Sequence, residues 1–212
     1  VSVSDPSSLM FLKWIEPFCQ GHVLDVCAAP GGKSLKMVTF KKIDALYVND
    51  LSRNRMLMYR ENIQRTQLHP NAIIQSDGTQ LPFNQDHFNT VIIDAPCSST
   101  GTIQKNPDIK WTSSEKELLT NLDLQAKLLN EGARILKPGG TLIYSTCSLE
   151  KEENQKQIHE FLNHNSGFFV KKPFSEIPLP WSKESKMEDE PFFQLLTGPS
   201  WGGFFAAALG RQ

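Results

Sequence analysis

Short apolar runs alternate along the chain with longer stretches whose apolar residues recur at helical spacing. The runs typical of buried strands cover residues 22–27, 45–49, 71–75, 89–95 and 141–145. Helices are predicted from residue 33, over 52–67, from Ser114 to a stop at 137–140, and over 149–162. This alternation favours a parallel sheet with helices on both faces.

The end of the chain predicts two further short strands, over 168–171 and 204–209, added at one edge of the sheet. The segment between them, 173–199, is rich in proline and charge and predicts a long loop. Residues 1–212 are therefore expected to form one α/β domain around a mostly parallel, seven-stranded, doubly wound sheet. Such sheets bind ligands beyond the carboxyl ends of their strands.

Composition and charge exclude several classes. The chain has 22 Lys and Arg against 23 Asp and Glu, a net charge of −1, and 39% hydrophobic residues. This excludes a disordered chain and a globally basic nucleic-acid binder. No apolar run approaches the roughly 18 residues of a membrane helix, and the first residues lack the apolar core of a signal peptide. We expect a cytoplasmic protein with no membrane partner.

The turn after the first predicted strand, residues 27–33, is rich in glycine and precedes a helix. Such turns cradle nucleotide-like ligands with their backbone. Gly32-Lys33-Ser34 resembles the end of a phosphate-binding loop, but Cys27 occupies the position where that loop needs its first glycine. The G-x-G-x-x-G fingerprint of dinucleotide-binding proteins is also absent.

Three other predicted strands end at an aspartate. Asp50 lies 19 positions after Gly31, about where a carboxylate binds a ribose diol, and Asp77 and Asp94 follow the next two strands. One such aspartate is usually a turn former, but three beside a glycine-rich turn favour a ligand with hydroxyls, an amine and a positive centre. S-adenosylmethionine has all of these and no phosphate.

Two of the four cysteines occupy matching positions: Cys97 follows the fourth strand and Cys147 the fifth. No cysteine belongs to a C-x-x-C pair, so a zinc site is not expected. A thiolate that adds to C6 of cytosine makes C5 nucleophilic enough to accept a methyl group. Cys147 is predicted to start a helix, whose dipole lowers a thiol pKa. Position alone does not decide which thiol attacks.

Several motifs resemble one known family. Residues 24–33, 49–50, 94–101, 107–111 and 144–148 match, in order, the motifs of the NOP/Sun-type RNA cytosine-C5 methyltransferases, particularly the bacterial Sun/Fmu type that acts on small-subunit ribosomal RNA. The resemblance implies the class I S-adenosylmethionine-dependent methyltransferase fold, which is Rossmann-like. It also implies that Cys147 is the nucleophile and that Cys97 assists product release, while Asp94 and Lys33 hold or activate the cytosine.

The same resemblance implies the cofactor site. No metal is expected, and a monomer is favoured, although the sequence leaves the oligomeric state open. The residues implied to bind S-adenosylmethionine are Cys27, Ala28, Ala29, Pro30, Gly31, Gly32, Lys33, Asp50, Asp77 and Asp94. Relatives carry an N-terminal RNA-binding region that we expect to be absent here. The loop at 104–106 is less basic than is usual in the family, and residues 201–205 read Trp-Gly-Gly-Phe-Phe where relatives have Asp-Gly-Phe-Phe.

Four other functions remain to be weighed. An amino-group methyltransferase usually has an aromatic residue where Cys97 stands, and a DNA cytosine enzyme does not need Cys147. A non-catalytic RNA-binding subunit has no need to keep both cysteines and the three aspartates. An NAD-dependent dehydrogenase needs the missing glycine fingerprint. For RNA contact, Lys105, Lys110 and Trp111 are the best candidates, because their loop follows Cys97. Trp111 is expected either to stack on a base or to pack in the core.

Overall fold

A computed structural model describes residues 5–112, 114–172, 192–198 and 200–212. These residues form an eight-stranded sheet flanked by helices. The strands are β1 (Gly21–Asp25), β2 (Ile43–Asn49), β3 (Ala72–Ile74), β4 (Phe88–Asp94), β5 (Leu136–Thr146), β6 (Phe168–Val170), β7 (Phe193–Leu195) and β8 (Phe204–Arg211). The helices are α1 (Pro6–Ile15), α2 (Ser34–Met37), α3 (Arg53–Thr66), α4 (Ile109–Thr112), α5 (Glu115–Ile135) and α6 (Gln157–His164).

The strand order, β3-β2-β1-β4-β5-β8-β6, confirms the doubly wound α/β fold. Strands β1 to β5 are parallel, and β8 runs antiparallel to β5, β6 and β7. Leu24 pairs with Tyr47 of β2 on one side and with Val91 of β4 on the other. Because the winding reverses at β1, the loops that follow β1 and β4 separate there, which opens a crevice at this edge of the sheet.

Consecutive strand residues point to opposite faces and build two cores. Ile92 packs in the cluster that contains α1 and α3, whereas its neighbours Val91 and Ile93 pack in the cluster that contains α5 and α6. The sequence did not lead us to predict α1. Its N-cap is Asp5, whose carboxylate accepts a hydrogen bond from the Ser7 amide at 2.8 Å.

The predicted helix starts at Ser52 and Ser114 are confirmed by cap hydrogen bonds. Ser52 Oγ accepts from the Arg55 amide, and Ser114 forms a full capping box with Glu117. At the other end of α5, the predicted stop at 137–140 is not a separate turn. Strand β5 begins directly at Leu136 and runs to Thr146, longer than the predicted 141–145.

The end of the sheet differs from the prediction. The prediction of seven strands was wrong by one, because β7 lies inside the predicted loop at 173–199 and is only three residues long, too short for a period-2 pattern. Residues 173–191 and 199 of that predicted loop lie outside the described part of the chain. The two strands predicted over 168–171 and 204–209 are confirmed as β6 and β8, which extend the sheet beyond β5.

Candidate active site

Hydrogen bonds with the end of β2 and with α3 hold the turn at 27–33 in place. Asp50, at the end of β2, accepts a hydrogen bond from the Ala29 amide at 3.1 Å, and the Arg55 guanidinium donates to the Ala29 carbonyl. Gly31 has φ +103°, and a Cβ there would lie 2.8 Å from the Tyr59 ring. The glycine is therefore required both by its conformation and by the close approach of α3.

A cavity of about 220 Å³ opens above this turn, beyond β1 and β4. Its lining includes seven residues that the sequence assigned to the cofactor site: Cys27, Ala28, Ala29, Pro30, Gly32, Lys33 and Asp94. Gly31 and Asp50 do not line it and support the turn instead. Asp77 is exposed and bonds locally to the amide and hydroxyl of Thr79 at 2.8 and 2.7 Å, which lowers its pKa.

The cavity also contains a residue that we did not predict as functional. Asp25, the last residue of β1, is 2% exposed, and its Oδ1 has no hydrogen-bond partner. Burial, together with the nearby Asp94 carboxylate, raises the pKa of Asp25 to about 8. The carboxyl is therefore protonated at pH 7. The available signal was its position, because Asp25 also ends a strand and precedes the glycine-rich turn.

Lys33 and Asp94 form an ion pair at the mouth of this cavity. Lys33 Nζ lies 2.5 Å from Asp94 Oδ2, and Ser145 donates a hydrogen bond to Asp94 Oδ1 at 3.0 Å. Burial alone would lower the pKa of Lys33, but the Asp94 carboxylate raises it above its ordinary value. The site thus presents a fixed cation and a fixed carboxylate side by side.

The two predicted thiols are in contact: Cys97 Sγ and Cys147 Sγ lie 3.4 Å apart. The hydrogen bond from Cys97 lowers the pKa of Cys147 to about 7, with further stabilisation of the thiolate by Ser99, 3.3 Å away, and by Lys33. The same contact, together with burial, raises the pKa of Cys97 well above its ordinary value. Cys147 is therefore the more acidic thiol of the pair.

The predicted helix dipole is not the cause of this low pKa. Helical structure after β5 begins only at Glu152, with a π-helix (Glu152–Lys156), so Cys147 lies in the loop before it. The predicted helix over 149–162 is thus a π-helix followed by α6. Cys19 and Cys27 take no part in the thiol pair, and burial raises the pKa of both.

Gly101 connects the two cysteine loops to the C-terminal segment. Its amide donates to the Cys147 carbonyl at 3.0 Å, and its carbonyl accepts from the Gly203 amide at 2.8 Å. A Cβ at Gly101 would lie 2.6 Å from the Cys147 carbonyl oxygen. The sequence Trp201-Gly202-Gly203 thus supplies a glycine, Gly203, that packs against Gly101.

The loop after Cys97 carries the predicted RNA-contacting residues to the surface. Trp111, in α4, is 87% exposed, which excludes the alternative that it packs in the core. Lys110 beside it is exposed, and Lys105 pairs with Asp5.

Within the described ranges, no group of three or more His, Cys, Asp and Glu side chains is arranged to hold a metal ion. The helices of the described residues are all too short or too polar to cross a membrane.

Comparisons with known proteins identify the family of this chain. The family described as 16S rRNA methyltransferase RsmB/F matches residues 12–210. Ribosomal RNA small subunit methyltransferase B of Enterobacter sp. (strain 638) is 33% identical over 216 residues, covering 100% of this chain and 47% of the relative. The chain thus spans about half the length of the curated relatives it matches.

Two solved structures share the fold of this chain. PH0851 superposes with a TM-score of 0.87 at 30% identity, over 99% of this chain and 47% of that one. A methyltransferase homolog protein from Pyrococcus horikoshii superposes with a TM-score of 0.78 at 27% identity, over 100% of this chain and 68% of that one.

Proposed function

The chain belongs to the RsmB/F family of 16S rRNA methyltransferases, and from this premise we propose that it transfers a methyl group from S-adenosylmethionine to C5 of a cytosine in RNA. The observation that carries the proposal is the contact between Cys97 and Cys147 at 3.4 Å, beside the Lys33–Asp94 pair. Small-subunit ribosomal RNA is the proposed substrate, as the name of the Enterobacter relative indicates for that protein. The cytoplasmic location of the enzyme and its monomeric state stay predictions.

The cavity fits the cofactor chemically. S-adenosylmethionine, when bound, supplies the methyl group. Lys33 offers a cation for a carboxylate, Asp94 offers a carboxylate for an amine or sulfonium, and the protonated Asp25 has an oxygen without a partner. The turn at 27–33 supplies backbone groups, and Asp50 holds that turn in place at Ala29. These residues make the site suitable for a ligand that carries both charges and no phosphate.

The two cysteines divide the chemistry between them. The Cys147 thiolate forms a bond to C6 of the cytosine, so the ring electrons move to C5 and C5 accepts the methyl group. Solvent water then takes the C5 proton, the C5–H electron pair restores the C5–C6 double bond, and the C6–sulfur bond breaks with its electron pair returning to Cys147. Cys97 assists this release, since its Sγ lies within 3.4 Å of the departing sulfur. Asp94 and Lys33, next to both the cavity and the thiols, hold the base.

The decisive experiment compares two alanine variants with RNA and S-adenosylmethionine on a denaturing gel. Cys147→Ala should lose both methylation and covalent attachment, because the bond to C6 never forms. Cys97→Ala should still form the bond and then accumulate a protein–RNA adduct, because release is slowed. An adduct with Cys147→Ala and none with Cys97→Ala would reverse the two roles, as in the DNA cytosine enzymes.

The proposed RNA contacts lie on the loop after Cys97. Trp111 presents an exposed aromatic face on which a base can stack, and Lys110 beside it can contact phosphate. Binding should weaken steeply with salt, because phosphate contacts release counterions. Lys105→Ala and Lys110→Ala should lower RNA affinity in low salt, as measured by filter binding. Unchanged RNA affinity in both variants would indicate that RNA binds to a different surface of the protein.

A further inference from the structure

Two consecutive side chains of the π-helix Glu152–Lys156 lie directly behind the cysteines. Glu153 and Asn154 are 0% and 1% exposed. The turn that carries them closes with a hydrogen bond from the Lys156 amide to the Lys151 carbonyl at 3.0 Å. The Tyr144 hydroxyl donates to the Glu153 carbonyl at 2.7 Å and ties this turn to β5. Both side chains are thus fixed relative to the sheet.

Glu153 holds the chain on both sides of Cys97. Its carboxylate accepts from the Ser98 amide at 2.9 Å and from the Ser98 hydroxyl at 2.5 Å. It also accepts from Gln125 Nε2 at 3.1 Å, and the same nitrogen donates to the Pro96 carbonyl at 2.9 Å. The buried carboxylate of Glu153 therefore binds Ser98, after Cys97, directly, and Pro96, before Cys97, through Gln125.

Asn154 does the same for Cys147. Its Oδ1 accepts from the Thr146 hydroxyl at 2.6 Å, and its Nδ2 donates to the Ser148 carbonyl at 3.0 Å. The two arrangements are joined to each other, because the hydroxyls of Ser98 and Ser148 lie 3.0 Å apart. Each cysteine is flanked by residues bound to one of two adjacent side chains.

We propose that Glu153 and Asn154 are positioning residues that set the distance between Cys97 and Cys147 and so make the thiol pair competent for the proposed methylation. The inference rests on that function. The cysteines lie on loops that follow the paired strands β4 and β5, whose register ends at Asp94 and Ser145. Beyond that pair, Glu153 and Asn154 hold the residues that flank each thiol. Both carboxylate oxygens of Glu153 accept hydrogen bonds, so a side chain at this position needs an acceptor at each of the two atoms. A buried carboxylate is costly, which favours a role other than stability.

The first test is Glu153→Gln, with Asn154→Asp as its counterpart. The Gln variant places an amide donor against the Ser98 or Gln125 donors, and the Asp variant places an oxygen against the Ser148 carbonyl. Each should lower kcat for RNA methylation on the order of 100-fold, the effect of displacing a reacting group by about 1 Å, with KM for RNA and for S-adenosylmethionine unchanged. The matched control is Glu152→Gln, which removes only a partly exposed ion pair with Lys156 and should behave as wild type.

A second readout needs neither RNA nor cofactor. Alkylation of Cys147 by iodoacetamide, followed by peptide mass, should have its pH midpoint near 7 in the wild type and nearer 9 in Glu153→Gln, since the contact with Cys97 is lost. A purely structural role would lower the melting temperature and leave this midpoint unchanged. If the wild type fails to methylate RNA, the proposed function is refuted, and the alkylation profile still decides the positioning role.

If Glu153→Gln does not fold, Ser98→Ala replaces it, because it removes only the hydroxyl bonded to Glu153 and Ser148. It should raise the same midpoint by a smaller amount and lower kcat without changing KM. Folded variants with wild-type kcat and wild-type alkylation profiles would overturn the proposal. So would a change in KM alone, which would indicate a binding surface and not the thiol pair.

Discussion

Removal of the Cys97 thiol should raise the pKa of Cys147. The hydrogen bond from Cys97 is the main influence that lowers the pKa of Cys147 from 9.0 to about 7. In Cys97→Ala that donor is gone, while Ser99 and Lys33 still act on the sulfur. The pKa of Cys147 should therefore move most of the way back toward the ordinary thiol value, and the thiolate fraction at neutral pH should fall.

The size of the effect follows from the two pKa values. At pH 7 a thiol with a pKa of about 7 is half ionised, whereas one with a pKa of 9.0 is about one hundredth ionised. Complete loss of the stabilisation thus slows thiolate-dependent reactions about 50-fold, and a pKa midway between these values slows them about fivefold. Adduct formation by Cys97→Ala should accordingly be slow at pH 7 and approach the wild-type rate near pH 9.

The assay is the rate of iodoacetamide modification of Cys147 from pH 5.5 to pH 10, with the modified peptide identified by mass. Cys19 and Cys27 serve as internal references, because burial raises the pKa of both. Cys97→Ser is the matched control, since its hydroxyl can still donate and should preserve part of the effect. A midpoint that stays near pH 7 in Cys97→Ala would refute this reasoning, and so would a wild-type profile in which Cys97 is the more reactive thiol.

Three further predictions concern stability and RNA binding. The pKa of Asp25 in the folded protein is about 8, above its ordinary 3.8, so the folded protein binds one more proton than the unfolded chain between these two pH values. The melting temperature should therefore fall as pH rises through this window. This fall should be smaller in Asp25→Asn and unchanged in Asp44→Asn, whose aspartate is exposed. Gly101→Ala should destabilise the fold by about 2 kcal/mol in urea and slow adduct formation, because its Cβ would meet the carbonyl oxygen of Cys147. Gly167→Ala, with open space around it, should do neither. Trp111→Ala should leave the melting temperature unchanged and weaken RNA binding by about 1–3 kcal/mol, whereas an unchanged affinity would exclude base stacking.

Local sequence patterns were sufficient for the elements that depend on near neighbours. Buried parallel strands are continuous apolar runs, so the five parallel strands were recognisable, and the caps at Ser52 and Ser114 depend on residues three positions away. The glycine-rich turn was identified for the same reason. Patterns of this kind failed where an element was short, as for β7, and they did not predict α1.

The sequence by itself determined the fold class, the turn at 27–33 and the two cysteines at strand ends, because these follow from periodicity and motif order along the chain. Only the tertiary structure decided how the thiols differ. Cys97 and Cys147 are 50 residues apart, and their contact, the ionisation of one by the other, and the burial of Asp25 all depend on which loops the sheet brings together. A pKa is set by neighbours in space, and neighbours in sequence do not reveal them.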